Sequence, residues 1–106
     1  MKLKDVPYLT WVQHNGKPYH VRDRCGEEII LRDSAKNDIW LSIDEDVELI
    51  DVPVFNIGDL VLYQGWVLSL YGKLLQIVQY DGSTYAPYLL GGSVWATPFE
   101  ITKIDY

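Results

Sequence analysis

Residues 16–26 read GKPYHVRDRCG, and residues 72–82 read GKLLQIVQYDG. Laid over one another at an offset of 56, Gly16-Lys17 falls on Gly72-Lys73, Tyr19 on Leu75, Val21 on Ile77 and Gly26 on Gly82. Each stretch begins and ends on a turn-forming glycine and alternates between them, the signature of a strand bounded by tight turns. Further on, IWLSIDEDVELID (39–51) falls on VWATPFEITKID (94–105). Trp40 then matches Trp95, Ile50 matches Ile104 and, after a one-residue shift, Val47 matches Ile101. Chance likeness between two β-rich segments competes with duplication, but order, spacing and both tryptophans agree, so duplication is favoured. The boundary falls at Asp51-Val52-Pro53-Val54, because Pro53 cannot donate to a ladder and suits a connection.

Outward from these two stretches the chain keeps the same punctuation. Asn15-Gly16, Cys25-Gly26, Tyr71-Gly72, Asp81-Gly82 and Gly91-Gly92 mark turns. Between them run LTWVQ, PYHVRDR, EIILR, IWLSI, LVLYQ, LLQIVQY and TYAPYLL, each of strand length and rich in β-branched and aromatic residues. Residues 34–38, SAKND, form a hairpin loop. Helix is confined to isolated turns, chiefly around Pro98-Phe99-Glu100. The expected fold is therefore all-β, in two similar domains covering residues 1–52 and 53–106.

The second half, with FNIGDLVLY (55–63) before the Gly-Lys strand and VWAT-PFE-ITKI (94–104) after it, resembles the SH3-like small barrel of the KOW and Tudor kind. Gly58-Asp59-Leu60-Val61 supplies the opening strand. The closing part corresponds to a fourth strand, a one-turn 3₁₀ helix and a fifth strand. The first half matches more loosely, since KDVPYL stands where the Gly-Asp-x-Val opening would be. The resemblance implies two tandem five-stranded barrels and a binding module without catalytic residues, holding a peptide, a nucleic acid or a neighbouring subunit.

Composition narrows the partner. The 106 residues carry fifteen acids against nine Lys plus Arg, a net charge of −6, which opposes binding to a phosphate backbone. No run reaches the roughly 18–20 apolar residues of a membrane span, so no membrane partner is expected. The single cysteine, Cys25, cannot form an internal disulfide and fits a cytoplasmic protein. Lys17, Arg22, Arg24 and Arg32 offer a small basic strip, but Asp23, Glu27, Glu28 and Asp33 are interleaved with them and predict surface pairs.

Chemistry-bearing constellations are sparse. His14 and His20 flank the Asn15-Gly16 turn as surface residues, and neither they nor Cys25 match a zinc spacing. Cys25 lies between Arg24 and the acids Glu27 and Glu28, which oppose a lowered thiol pKa. Asp44, Glu45, Asp46, Glu48 and Asp51 lack the ligand pattern of a calcium loop and read as a solvated turn or an acidic contact patch. No catalytic set, metal site or cofactor site can be assembled, and an enzyme is not expected.

Aromatic side chains are segregated. Residues 55–106 hold ten of the fourteen, while residues 1–54 hold 18 of the 24 charged side chains. Strict alternation sends Tyr19, Val21, Leu75 and Ile77 inward. It leaves Pro18, His20, Arg22 and Arg24 on the outer face of one repeat, and Leu74, Gln76, Val78 and Tyr80 on that of the other. The candidate partner-binding residues are thus Trp66, Leu68, Tyr71, Val78, Tyr80, Tyr85 and Tyr88, with the uncharged stretch 65–71 at their centre. Packing between the two domains, self-association and a separate protein partner all remain open for that face. An aromatic cage for methylated lysine from Tyr63, Trp66, Tyr85 and Tyr88 is a minor option. Two functions compete: a protein-binding adaptor, accessory subunit or inhibitor, and a nucleic-acid-associated barrel. A small acidic inhibitor of a nucleic-acid enzyme, encoded by a mobile element, is a variant of the first.

Overall fold

The computed structural model describes residues 1–104; Asp105 and Tyr106, the last two residues of the second repeat, lie outside the described residues. The chain is all-β and forms two compact units, Met1–Asp51 and Val52–Tyr106. Each holds one five-stranded antiparallel sheet, and one of the two sheets curls into a half-barrel. Among the described residues no helix is long and apolar enough to cross a membrane.

In the first unit a 3₁₀ turn, Leu3–Asp5, precedes β1 (Trp11–His14), β2 (Lys17–Cys25), β3 (Glu28–Arg32), β4 (Asp38–Ser42) and β5 (Glu48–Leu49). The spatial order is β4-β3-β2-β1-β5. The second unit contains β6 (Leu60–Tyr63), β7 (Leu74–Tyr80), β8 (Tyr88–Leu90), β9 (Val94–Ala96) and β10 (Ile101–Lys103), ordered β10-β6-β7-β8-β9. Both units therefore share one topology: four consecutive strands pair as a meander, and the fifth returns to pair with the first.

The two sheets share a finer likeness. In β2 the pairing passes from Val21↔Leu31 to Asp23↔Ile30, so Arg22 is an extra residue, a β-bulge. In β7 it passes from Ile77↔Leu90 to Gln79↔Leu89, so Val78 is the extra residue. Arg22 and Val78 are separated by the same offset as the glycines. Next to the bulges, Trp40 lies opposite Ile30 and Trp95 opposite Leu89, which sets the two tryptophans at equivalent ladder positions.

Each unit has its own core. Leu3, Val12, Val21, Ile29, Leu31 and Val47 cluster in the first, with Tyr19 packed at the margin. In the second, Val61, Tyr63, Ile77, Tyr88, Leu90 and Ile101 cluster, with Leu75 at the margin. The inward placement of Tyr19, Val21, Leu75 and Ile77 agrees with strand alternation. Asn15 and Gly16 both have positive φ, 52° and 75°, as a two-residue hairpin turn between antiparallel strands requires. The loop between β3 and β4 lies at residues 33–37, one residue earlier than the expected 34–38, because Asp38 already pairs with Arg32 as the first residue of β4. Around Pro98-Phe99-Glu100 the chain makes a turn closed by Glu100 N–H donating to Thr97 O (3.2 Å), not a 3₁₀ helix.

Candidate protein-docking surface

The connection between β6 and β7 differs most between the repeats. In the first unit two residues join the equivalent strands; in the second the chain runs from Gln64 to Lys73. This longer loop contains the uncharged apolar stretch of the sequence. It is a turned loop. Leu70 N–H donates to Val67 O (3.0 Å), Tyr71 N–H to Leu68 O (3.3 Å) and Lys73 N–H to Leu70 O (3.0 Å). The turn sends Val67 and Leu70 onto the core and leaves Trp66, Leu68 and Tyr71 exposed, Leu68 with 84% of its surface in solvent.

A buried bracket fixes the base of that loop. Glu100 is 3% exposed, and its main-chain oxygen accepts from Gln64 N–H (2.7 Å). One carboxylate oxygen, Oε1, accepts from Thr97 N–H (2.9 Å), and the other, Oε2, from the Tyr63 hydroxyl (3.2 Å). The Trp66 backbone amide is a further donor to this carboxylate. The Tyr63 hydroxyl in turn accepts from Val67 N–H (3.3 Å). Burial pushes the Glu100 carboxyl above its ordinary range, although the Thr97, Tyr63 and Trp66 donors pull the other way. Burial likewise raises Tyr63, with the Glu100 charge acting in the same sense. Gly65 passes so close to this pair that a Cβ there would collide with the Glu100 Oε2 and the Tyr63 ring and hydroxyl.

The remaining candidate residues do not form one surface. The bulge restarts the alternation beyond Val78, so Tyr80 comes opposite Tyr88, on the same side of the sheet. Their rings lie 5.3 Å apart. Val78 is exposed within the bulge, and Tyr80 is exposed but leaves the outer face that strict alternation assigns to it. Tyr88 is 4% exposed and belongs to the core. Its ring meets Phe55 edge-on at 5.5 Å, and its hydroxyl accepts from Phe55 N–H (3.1 Å). Tyr85 is half-buried. The structure thus brings Trp66, Leu68 and Tyr71 together on one loop, and withdraws Tyr88 from the surface. A lysine cage is not formed, because Tyr63 and Tyr88 are both buried.

In the first unit His20 departs from its expected place. It is 2% exposed, with its ring edge-on to Trp11 at 5.3 Å. Burial, with help from the Arg22 and Arg32 charges, lowers its pKa to about 4, against a smaller opposing effect of the Leu9 backbone. His20 lies opposite Trp11, and His14 is three residues further along β1, so the two imidazoles project from opposite faces of the sheet. They cannot share a metal. Among the described residues no three His, Cys, Asp or Glu side chains converge as a ligand set. Cys25 is exposed. The acidic run and the Asn15-Gly16 turn border an open cavity of about 430 Å³, whose walls include His14, Glu45, Asp46 and Glu48.

Three cations of the basic strip are engaged by carboxylates, although mostly not by those adjacent in sequence, and the fourth by a main-chain carbonyl. Arg22 and Arg32 both reach Asp38, at 3.6 and 2.9 Å, and Arg24 donates to Gly26 O (2.8 Å). Lys17 Nζ meets Asp33 Oδ2 at 3.0 Å. Asp33 is 3% exposed and also accepts from the Ala35 and Asn37 amides, both at 2.9 Å, closing the β3–β4 loop. Burial pushes Asp33 up, but the Asn37 amide and Lys17 outweigh it, so its carboxyl lies below the usual range. Lys17→Met is expected to cost about 1 kcal/mol in urea unfolding, since the ammonium is half exposed and water screens it. A loss above about 3 kcal/mol would show that the Ala35 and Asn37 amides do not suffice to hold the buried carboxylate without Lys17. Compared with protein families, curated proteins and solved structures, the chain matches none.

Proposed function

We propose that the chain is a non-enzymatic protein-binding module of two SH3-like small barrels, docking through the Trp66–Tyr71 loop of the second. The shared strand order, fifth-first-second-third-fourth, supports the barrel assignment. The observation that carries the docking reading is the loop itself. Trp66, Leu68 and Tyr71 are displayed in solvent on a backbone held from beneath by a buried carboxylate. Displaying large apolar groups costs solubility, and ordering them beforehand lowers the entropy lost on association. The equivalent connection in the first unit is two residues long, so the barrel does not require such a loop. Val78 extends the comparison, because the matching bulge in the first unit holds Arg22.

The test pairs Leu68→Arg with Val78→Arg, the second copying a residue the fold already accepts in the equivalent bulge. Both are expected to keep the thermal midpoint of the parent. Leu68→Arg should weaken a partner, identified by affinity capture and mass spectrometry, by tenfold or more, roughly the cost of spoiling a central apolar anchor. Identical partners and affinities for parent and variants would end this reading. The Arg22–Asp38, Arg32–Asp38 and Lys17–Asp33 pairs give the nucleic-acid alternative no comparable support.

A further inference from the structure

We propose that the outward edge of β4 is a second docking site, which takes an extended basic segment of a partner protein as an added strand. β4 is terminal in its sheet and pairs only with β3. Hydrogen bonds from Asp33 N–H to Asn37 O (3.0 Å) and from Ile43 N–H to Glu27 O (3.0 Å) mark bonded pairs at its two ends. Bonded and non-bonded pairs alternate along an antiparallel ladder. Ile39 and Leu41 therefore turn their N–H and C=O groups to β3, and Asp38, Trp40 and Ser42 turn theirs outward. The other sheet edges, β5, β9 and β10, are two or three residues long, whereas β4 has five and contains neither Pro nor Gly. Folded proteins normally blunt an exposed edge of that length.

The surroundings of this edge specify the occupant. Beyond Ser42 the line is already taken by the chain itself: Lys4 N–H donates to Ile43 O and Leu3 N–H to Glu45 O, both at 2.9 Å. The available length is thus Asp38–Ser42. On one side of the strand Ile39 and Leu41 lie at the margin of the core. On the other, Trp40 is half exposed, next to Ile30, and Glu28 lies opposite Ser42. At the other end Arg22 and Arg32 neutralise Asp38. Beyond Ser42, by contrast, the run Asp44, Glu45 and Asp46 follows, and Lys2 and Lys4 offset only part of that charge, so the carboxylate excess lies at the Ser42 end. An added strand matches both sides if it alternates apolar residues, toward Ile39 and Leu41, with cations, toward Trp40 and the carboxylates of the Ser42 end.

The probe is a short capped peptide of alternating lysine and valine, added to the full chain. Hydrogen exchange at the Trp40 and Ser42 amides is expected to slow about tenfold, while Ile39 and Leu41, already bonded to β3, stay unchanged. The same peptide N-methylated at alternate residues cannot complete the ladder, and a glutamate–valine peptide has the wrong charge; neither should protect. Ser42→Pro removes one outward donor, leaves the β3 pairing intact and should abolish protection at Trp40. Absence of protection by the lysine–valine peptide would overturn the proposal. Equal protection by either control, or by the parent peptide on folded Ser42→Pro protein, would also overturn it. If Ser42→Pro fails to fold, the N-methylated peptide alone decides. Concentration-dependent protection of the same amides without peptide would assign the edge to a second copy of the chain and refute the partner segment.

Discussion

Replacing Gly65 by alanine should unfold the second unit far more readily than a one-carbon change would suggest. The added Cβ meets the Glu100 Oε2 and the Tyr63 ring and hydroxyl, and neither group can retreat cheaply. Tyr63 is fully buried, and the Glu100 carboxylate is held by Thr97 N–H and the Tyr63 hydroxyl. Moving the carboxylate aside breaks these bonds in a buried site, and moving the loop aside breaks the Gln64 and Val67 contacts instead. Overpacking and lost buried hydrogen bonds together amount to about 3 kcal/mol or more. For a unit of this size that lowers the thermal midpoint by roughly 10–20 °C. Exchange at the Val61 and Leu90 amides should report the loss, while Val12 and Leu31 in the first unit should not. Combining Gly65→Ala with Glu100→Ala removes one of the two obstructions, so the double variant should be more stable than the summed single effects imply. A Gly65→Ala protein within about 0.5 kcal/mol of the parent would show that the bracket is loose, and with it the case for a preordered loop would fall.

The elements most visible in the sequence are those governed by nearest neighbours. The Asn15-Gly16 turn, the strands after the two Gly-Lys pairs and the polar loop before β4 depend on local φ preferences and two-residue periodicity, and each appears within a residue or two of where those preferences put it. The bulges are invisible there, because nothing about Arg22 or Val78 as residues marks them as extra; the register shift arises from pairing with β3 and β8. That one unseen residue is why strict alternation wrongly sends Val78 and Tyr80 to a single face. Tyr88 escapes the sequence for a related reason, since its partners Phe55 and Tyr80 are brought to it by the fold and not by spacing. The uncharged stretch 65–71 is visible in the sequence, but which of its residues face solvent is not: the turns send Val67 and Leu70 onto the core and leave Trp66, Leu68 and Tyr71 exposed. The carboxylate beneath them is likewise not visible in the sequence. Glu100 meets Tyr63 and Gln64 only because β10 pairs with β6, setting Ile101 opposite Tyr63, a contact that no local spacing announces.

Acidification from neutral pH should destabilise the first unit before Asp33 and Asp38 take up protons. His20 ionises near its ordinary 6.5 when unfolded, but burial against Trp11, with Arg22 and Arg32 nearby, lowers its folded pKa to about 4. Well above pH 6.5 both states hold the imidazole neutral, and it contributes no pH dependence. Between 6.5 and 4 the unfolded chain takes up a proton that the folded unit refuses, so stability falls as pH falls. The loss reaches about 2 kcal/mol at pH 5 and about 3 kcal/mol at pH 4, and levels off below that. Asp33 and Asp38 have folded pKa values below the ordinary 3.8, so their contributions are intact above that pH and are lost only at lower pH. The two windows are therefore separable. Glu100 works in the opposite sense in the second unit, because a carboxyl with a raised pKa binds its proton more readily when folded. Acid should thus weaken the first unit while relieving the second of a buried charge. Urea unfolding followed by amide exchange at Val12 and Leu31, against Val61 and Leu90, separates the two responses. His20→Gln should flatten the first unit's profile between pH 6.5 and 4 and leave the fall below 3.8 in place. A parent profile already flat across the upper window would mean that the folded unit accommodates the imidazolium, and that His20 is not held in a site closed to charge.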